Sequence, residues 1–362
     1  MVTFALRLAA KILTVVLYAV TIGAAFGGSV NPHIWGTPSI LTLAFPYLAM
    51  ATLIATLLWA VSRRLIMAAV GVAVMVAIWS PFMSAFPFGS EKTPSGTPEF
   101  SLLTFNILDN VNSDNPDDNN GASLRYVLSS GADIVCLQEL GSLKAGAVPG
   151  LQQSTVDSLE KAYPYRLIDG ARCLTLLSKY PAQYHVSVSA KNFFADIYSI
   201  NVKGKRINVV NAHLASYMLS EQERKVVTDI RSVDSARRSL REFKGSIMAK
   251  MKASFRQRAD EAAKIRELLD QLSGTTIVCG DFNDVPASWA YKKVKGDDFT
   301  DAFAETNFGH KPTYHAHCMP FHIDQVLYRG DLRAIKSERI KEGSSDHYPV
   351  MTTFEFAEPL DR

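Results

Sequence analysis

The first 89 residues of the chain contain no aspartate and no glutamate, and full charge there is confined to Arg7, Lys11, Arg63 and Arg64. A segment so poor in charge does not resemble the polar surface of a soluble domain. The remaining residues hold 38 − 4 = 34 of the basic side chains and all 35 acidic ones, so their charges nearly balance. That part lacks the basic excess with which non-specific nucleic-acid binders neutralise phosphates, which disfavours DNA as the main substrate.

Cysteine is also scarce, with Cys136, Cys173, Cys279 and Cys318 as the whole complement. No pair has the C-x-x-C spacing that is typical of a structural metal site. Cys136 and Cys279 fall in apolar, strand-like runs, which favours two buried thiols. A disulfide between two of the four cysteines is the alternative.

Three long apolar stretches, about Ile12–Val30, about Ile40–Val61 and about Leu65–Phe88, contain no charged residue. Each reaches the roughly 20 residues with which a helix crosses a bilayer core. The first also suits a cleaved signal peptide, because Arg7 and Lys11 precede it. Since two further stretches follow, we predict in either case a membrane anchor within residues 1–88, with about three transmembrane helices.

Basic residues near the ends of these stretches predict the orientation of the anchor, because Lys and Arg are retained on the cytoplasmic side. Arg7 and Lys11 precede the first stretch, and Arg63 and Arg64 separate the second from the third, whereas the loop Gly27–Ser39 has no lysine or arginine. The N-terminus is therefore expected in the cytoplasm, and the C-terminal part outside it.

A different kind of sequence follows a linker at 89–98 that is rich in Pro, Gly, Ser and Thr. Short apolar runs alternate there with polar loops, which predicts buried strands in an α/β domain over 99–357, followed by a tail at 358–362. Helical patterns cover Ala122–Ser129 and Ser216–Leu272. The predicted strands are Phe100–Phe105, Ala132–Glu139, Thr175–Pro181, Ile207–Leu214, Ile277–Asp284, His322–Tyr328 and Val350–Phe356.

The run Ile277–Asp284 shows how such a strand can present functional groups. Gly280 frees the backbone to bend tightly, and the bend leaves Asp281 and Asn283 side by side at the end of the strand. Open α/β sheets place their chemistry at such ends, and a carboxylate beside a carboxamide can position a water and the oxygen of a phosphate or metal aquo ion. The same residues also suit a plain turn that closes a strand.

Two other predicted strands end in polar side chains. Glu139 closes a near-continuous apolar run, where a carboxylate is costly unless it is solvated, paired or bound to a metal. His213 ends a second run, where a hydrogen-bonded packing role is the commoner one. Each residue taken alone therefore has a structural explanation beside a functional one.

Taken in chain order, the strand ends resemble one known family. The matching signatures are Thr104-Phe105-Asn106, Gln138-Glu139, Ser178-Lys179-Tyr180-Pro181, Asn211-Ala212-His213-Leu214, Gly280-Asp281-Phe282-Asn283, Ile323-Asp324 and Ser345-Asp346-His347. Over roughly residues 99–357 they resemble the endonuclease/exonuclease/phosphatase superfamily, the DNase I-like metal-dependent phosphoesterases. The resemblance implies a four-layer α/β sandwich, with two mixed β-sheets packed face to face and helices outside.

The resemblance also implies a metal site. Glu139, helped by Asn106 and Asp346, would hold Mg²⁺ or Mn²⁺. A hard divalent cation of this kind takes few carboxylates, together with water and substrate oxygens.

Catalytic roles follow from the same resemblance. Asp281 would orient or deprotonate the attacking water, and Asn283 would hold a phosphate oxygen. His347, oriented by Asp324, and His213 would contact the non-bridging oxygens and stabilise the charge that develops in the transition state. Whether His347 or Asp281 accepts the proton is left open by the sequence.

Two features depart from the family pattern. Leu108 stands where many relatives have an acidic residue, which puts a second metal position in doubt. The helical pattern after His213 is longer than expected, and between Tyr217 and Arg258 it holds eleven basic residues against five acidic ones. Such a segment suits contact with anionic lipid, guidance of an anionic substrate, or a solvated helix face.

A histidine-rich tract raises the alternative of a zinc site, with His310, His315, His317, Cys318 and His322 close together. Their spacing does not match a recognisable structural zinc site.

Two classes of function fit these residues. The first is a membrane-anchored, divalent-metal-dependent phosphoesterase that acts outside the cytoplasm on a phospholipid head group, a small phosphodiester or, as a nuclease, nucleic acid. The second is a non-catalytic binding protein on the same scaffold, which Leu108 alone suggests and the full set of polar strand ends disfavours. Transport through the apolar stretches is disfavoured because they hold no charged residue.

Overall fold

The structure is a computed structural model, which describes residues 2–97, 99–108, 121–144, 151–190, 193–220, 223, 243–316 and 320–357. Its α-helices are α1 (Val2–Gly27), α2 (Thr37–Val61), α3 (Leu65–Ala77), α4 (Trp79–Ala85), α5 (Ala122–Ser130), α6 (Gln153–Ala162), α7 (Met248–Gln271), α8 (Trp289–Lys295) and α9 (Ala302–Thr306). Its strands are β1 (Glu99–Asn106), β2 (Ile134–Gln138), β3 (Tyr165–Asp169), β4 (Leu174–Ser178), β5 (Ala182–Ala190), β6 (Phe193–Val202), β7 (Lys205–His213), β8 (Thr276–Asp281), β9 (Thr300–Asp301), β10 (Asp324–Arg329), β11 (Arg333–Arg339) and β12 (Val350–Glu355).

The strands form two mixed sheets of six strands each. One has the order β11-β12-β1-β2-β4-β3, and the other has the order β5-β6-β7-β8-β10-β9. Pairing is parallel between β1 and β2 and between β7 and β8, and antiparallel between the other neighbours. With helices outside, this is the predicted four-layer α/β sandwich, and the prediction is confirmed.

Both faces of the central strands are buried, which explains their continuous apolar sequences. Phe100 and Leu102 of β1 lie in the core between the sheets, together with Ile277 of β8. The alternate residues Leu103 and Phe105 pack outward in the cluster that includes helices α5 and α6. Successive side chains of a strand point to opposite faces, so one run of apolar residues fills two layers.

The cysteines in this core carry no disulfide. Cys136 and Cys279 are buried free thiols. Burial, followed by the neighbouring Cys279 thiol, raises the pKa of Cys136 well above its usual value. The disulfide alternative is therefore wrong for Cys136 and Cys279. Cys318 lies outside the described residues.

The N-terminal helices expose an apolar surface. Helices α1 and α2 are each long and apolar enough to cross a membrane. Val61 is 83% exposed and Ile66 81% exposed, which is unusual for large apolar side chains in a soluble protein. The predicted third span is broken into α3 and α4, which meet at an angle of 68°. Pro81, which lacks an amide N–H, lies in the first turn after this bend.

Polar contacts inside the helical bundle join small hydroxyl side chains. The hydroxyls of Thr21 and Thr52 lie 2.8 Å apart, and those of Tyr18 and Thr56 lie 3.2 Å apart. Each pair connects α1 with α2. Hydroxyl pairs and small residues of this kind are typical of helices that pack within a bilayer.

One end of the bundle rests on the α/β domain. A Cβ atom on Gly28 would lie 1.9 Å from the Ala287 carbonyl oxygen, so only glycine permits this approach. The Tyr47 hydroxyl donates to the Pro320 carbonyl oxygen at 2.6 Å. The opposite end of the bundle has a surface pocket lined by basic side chains, among them Arg7, Lys11 and Arg64.

The segment after His213 is only partly the predicted helix. Residues 214–220 are not helical, and the helix resumes with a π-turn at Phe243–Ile247 that leads into α7. Tertiary contacts explain why the segment does not begin as a helix. The backbone amide of Ala215 donates to the Glu261 carboxylate at 2.9 Å, and the backbone carbonyl of Ala215 accepts from Arg258 at 2.7 Å. Residues 221–222 and 224–242 of the basic segment lie outside the described residues.

Arg258 is the last basic residue of this segment, yet its side chain is fully buried and does not belong to a solvated helix face. Its Nε donates to Asp284 Oδ2 at 3.3 Å, and its guanidinium carbon lies 4.3 Å from the centre of the Tyr217 ring. Together with the bond to the Ala215 carbonyl, these contacts connect α7 to the loops that follow β7 and β8.

Replacing Arg258 with methionine should cost about 3–5 kcal/mol of unfolding free energy, because Asp284 would be left buried without its cation. Denaturant unfolding of the full chain in detergent measures this cost. Adding Asp284→Asn to Arg258→Met should recover part of the loss, whereas Lys264→Met, at an exposed position of α7, should change stability by less than about 0.5 kcal/mol. A loss at Arg258 no larger than at Lys264 would contradict the buried ion pair.

Gly280 is required by the close approach of β7 and β8. Its φ is +131°, and a Cβ atom there would lie 1.9 Å from the Ala212 carbonyl oxygen. Because His213 and Asp281 are the next register pair, this approach brings the two side chains together.

Gly280→Ala should therefore destabilise the full chain by more than the roughly 1–3 kcal/mol of backbone strain alone. Gly274→Ala is a matched control, since Gly274 also has a positive φ of +81° but no atom lies near its missing Cβ. Thermal unfolding in detergent compares the two variants. Equal shifts of the midpoint would show that the contact with β7 does not matter.

Candidate functional site

The ends of two parallel strand pairs meet at one edge of the sandwich. Asn106 of β1 is in register with Gln138 of β2, and His213 of β7 is in register with Asp281 of β8. Parallel strands end at the same edge, so the polar residues that terminate all four strands come together there. Glu139, the residue after β2, has a φ of +63°, an uncommon conformation at the end of that strand.

Asp281 lies at the centre of this cluster with 1% of its surface exposed. Its Oδ2 accepts from the side-chain amides of Asn106 and Asn283, each at 3.1 Å. Its Oδ1 accepts from the backbone amide of Asn283 at 2.7 Å. Burial raises the pKa of the Asp281 carboxyl to about 6, while the neighbouring His347 acts to lower it.

Asn283, the partner of Asp281, is also held by hydrogen bonds. Its φ is +50°, and its side-chain amide also donates to the Leu214 carbonyl oxygen at 2.9 Å. The bend predicted at Gly280 is therefore wrong in position, because Gly280 still belongs to β8 and the chain turns at Asn283. The turn connects the loop of Asp281 with the end of β7.

A histidine–carboxylate pair faces Asp281. His347 Nδ1 lies 2.9 Å from Asp324 Oδ2, and His347 Nε2 lies 3.7 Å from Asp281 Oδ2. Burial acts to lower the pKa of His347, but the Asp324 and Asp281 carboxylates outweigh it and raise that pKa to about 10. Since both nitrogens face carboxylates, the cationic form of the ring is favoured.

Glu139 and His213 lie at the partly exposed side of the site. His213 Nε2 lies 3.7 Å from both Glu139 Oε1 and Asp281 Oδ2. The Asn106 amide donates to Glu139 Oε1 at 3.0 Å, so one amide joins the two carboxylates. The Glu139 side chain keeps 30% of its surface exposed, which leaves it open to a ligand.

Asp346 offers a second oxygen donor. Its Oδ1 is buried and has no hydrogen-bond partner among the described residues, and the residue lines the same pocket as Glu139. The Ser345 hydroxyl donates to the Asn106 carbonyl oxygen at 2.8 Å and so fixes this loop to the end of β1. An unpaired carboxylate oxygen beside an open carboxylate fits a hard divalent cation.

A different trio, Asp281, Asp324 and His347, is close enough to hold an ion by distance alone. The short contact between His347 Nδ1 and Asp324 already occupies that ring nitrogen. The other ring nitrogen, Nε2, lies 3.7 Å from Asp281 Oδ2, so the three residues combine one hydrogen bond with one longer ion-pair contact.

A pair of buried amides joins the two sheets beneath the site. Gln138 Nε2 donates to Asn211 Oδ1 at 2.6 Å, and Asn211 Nδ2 donates to the Leu137 carbonyl oxygen at 3.1 Å. Both residues belong to the family signatures, but sequence reasoning assigned them no role. Their contact fixes the spacing of the sheets from which the functional side chains project.

Arg258 is the other residue that sequence reasoning missed. A signal was present, because Phe255 and Ala262, three residues before it and four after it, place Arg258 on the apolar face of α7.

The pocket of the site has a cavity volume of about 140 Å³. Leu108 lines it, so an apolar side chain does occupy the edge where an acidic one was expected. Asp109, the next residue, lies outside the described part of the chain.

The described histidines of the tract do not converge on a zinc site. His310, His315 and His322 each lie within hydrogen-bond distance of a different backbone carbonyl, those of Ala85, Ser345 and Lys311 respectively. His317 and Cys318 are outside the described residues.

Several solved structures are similar to this chain. A humanized D. rerio TDP2 has 15% identity, covers 71% of this chain and 99% of its own, and gives a TM-score of 0.46. An endonuclease/exonuclease/phosphatase from Beutenbergia cavernae has 16% identity, 72% coverage of each chain and a TM-score of 0.47. The human Nocturnin catalytic domain has 16% identity, covers 72% of this chain and 94% of its own, and gives a TM-score of 0.47.

No curated protein matches the sequence significantly. The sequence model of the Endonuclease/Exonuclease/phosphatase family, however, matches residues 103–347, which span all the polar strand ends described above. The chain is therefore a member of the endonuclease/exonuclease/phosphatase family.

Proposed function

We propose that this protein is a membrane-anchored phosphoesterase that depends on Mg²⁺ or Mn²⁺ and acts outside the cytoplasm. The observation that carries the proposal is the convergence of Asp281, the Asp324–His347 pair and Glu139 in one pocket. A single phosphoester reaction uses all of these groups, whereas a structural role would not require so many partly buried charges.

Glu139 and Asp346 would hold the metal ion, and Asn106 would keep Glu139 in position. When bound, the ion supplies positive charge to a phosphate oxygen in the transition state. The donors are all oxygen, which favours Mg²⁺ or Mn²⁺ over a softer metal.

Asp281 is the residue that we assign to the attacking water. Its three amide donors fix the carboxylate, which is thereby oriented to hold a water and accept its proton. Asp324 binds one nitrogen of His347, so that the other nitrogen is available to donate to a non-bridging phosphate oxygen. His213 lies 3.7 Å from Asp281 and would bind a further phosphate oxygen. The side-chain amide of Asn283 already donates to Asp281 and to the Leu214 carbonyl oxygen, so Asn283 would hold Asp281 in position.

Asp281→Asn should lower kcat for methyl 4-nitrophenyl phosphate and 4-nitrophenyl phosphate by about 10³-fold, because the amide cannot accept the proton. Chelation of the metal should abolish the same turnover, and added Mg²⁺ should restore it. Nitrophenolate release by the full chain in nanodiscs is the measurement.

Asp331→Asn is the matched control, since this carboxylate pairs with Lys205 on the surface, and it should leave kcat within about twofold. Turnover that persists in Asp281→Asn, or that does not need a metal, would overturn the proposal. A folded protein that binds Mg²⁺ without any turnover would instead support the non-catalytic binding protein.

The distribution of basic residues supports the orientation. Arg7, Lys11 and Arg64 line one end of the helical bundle, and the catalytic domain contacts the other end through Gly28 and Tyr47. If the basic end stays in the cytoplasm, the catalytic domain lies on the opposite side of the membrane.

A reporter enzyme that folds only outside the cytoplasm should therefore be active when it is fused after Arg362. The same reporter fused after Arg64, at the turn between α2 and α3, should be inactive. The reverse pattern would place the catalytic domain in the cytoplasm.

A further inference from the structure

One part of the catalytic pocket is apolar. Besides the polar groups of the reaction, its lining includes the side chains of Tyr217, Leu219, Tyr314, Phe321 and Ile323. Neither the proposed metal donors nor the polar groups around Asp281 require this apolar wall, so its presence calls for a further explanation.

The apolar wall continues into the membrane anchor. Ile323 shares a buried cluster with Leu43 of α2, and Leu219, Phe321 and Ile40 pack against the same cluster. The bond from the Tyr47 hydroxyl to the Pro320 carbonyl holds the residue before Phe321 against α2. The pocket is thus connected to the bilayer-crossing helix by a continuous set of apolar contacts.

The same lining has little to attract a polyanion. Among the described residues that line the pocket, none is a lysine or an arginine. Nucleic-acid channels combine basic grooves with freely accessible aromatic rings. Here the Tyr217 ring is covered by the Arg258 guanidinium, and the Tyr314 ring packs 5.1 Å from His347.

We propose that the substrate is an amphiphilic phosphoester, namely a lipid of the membrane in which the protein is anchored. Its phosphate lies in the open pocket beside Asp281 and His347, and its apolar chain lies along Leu219 and Phe321 towards α2. This inference rests on the proposed phosphoesterase function and adds the class of substrate.

The reaction consumes one water molecule. The water oxygen forms a new bond to phosphorus and gives up a proton. The P–O bond to the leaving alcohol breaks, and the alcohol oxygen takes up a proton. No further reactant is needed.

A series of alkyl 4-nitrophenyl phosphates tests the proposal without knowledge of the natural head group. For the full chain in nanodiscs with Mg²⁺, kcat/KM should rise from the methyl to the hexyl ester by at least about 30-fold, or roughly twofold or more for each methylene that becomes buried. Leu219→Gln and Phe321→Gln should each reduce the ratio of hexyl to methyl kcat/KM by about fivefold or more.

Ile168→Gln is the control for partition of the longer esters into the nanodisc. Ile168 is an exposed apolar residue of β3, in the other sheet from β7 and β8. The ratio should keep its wild-type value in this variant. Because only ratios are compared, a general loss of activity or folded protein does not change the outcome.

The lipid assignment would be overturned if kcat/KM of the wild type did not change from the methyl to the hexyl ester. It would also be overturned if the hexyl-to-methyl ratio of kcat/KM fell equally in Ile168→Gln. A third contradicting result is a higher kcat/KM for the nicking of supercoiled plasmid than for hydrolysis of the hexyl ester. Failure of the phosphoesterase function itself looks different. In that case the methyl ester is not hydrolysed at all, or its hydrolysis persists in Asp281→Asn.

Discussion

The buried carboxylate of Asp281 is the constraint on which the site depends. It receives a donor from Asn106 of one sheet and two from Asn283 of the other, and it lies 3.7 Å from the nearest nitrogens of His213 and His347. A carboxylate so deeply buried is tolerated only when its oxygens are satisfied. The distance between the two sheets must therefore stay constant. The hydrogen bond between Gln138 and Asn211, beneath the site, fixes that distance.

The helical bundle contributes to the same architecture. Helix α2 packs against the cluster that contains Ile323, and the loop that ends in Phe321 is bonded to Tyr47. The N-terminal helices therefore support one wall of the pocket. Loss of the N-terminal helices would expose this apolar wall to water, which is unfavourable.

Much of the site could be predicted from the sequence because its side chains lie at the ends of buried strands. Continuous apolar runs show where β1, β2, β7 and β8 are, and the polar residue that closes each run can be read directly. Arg258 could not be assigned in this way, because its partner Asp284 is 26 residues away and belongs to another element. The irregular course of residues 214–220 was also missed, since contacts with α7 outweigh local helical preference.

The sequence by itself determined the layered α/β fold, the apolar N-terminal helices and the identity of the polar strand ends, because these follow from local periodicity and short motifs. Tertiary structure alone decided that the Asp324–His347 pair faces Asp281, that Asp346 keeps an unpaired oxygen, and that α2 adjoins the pocket. Such facts depend on distances between elements far apart in the chain, and no local pattern encodes those distances.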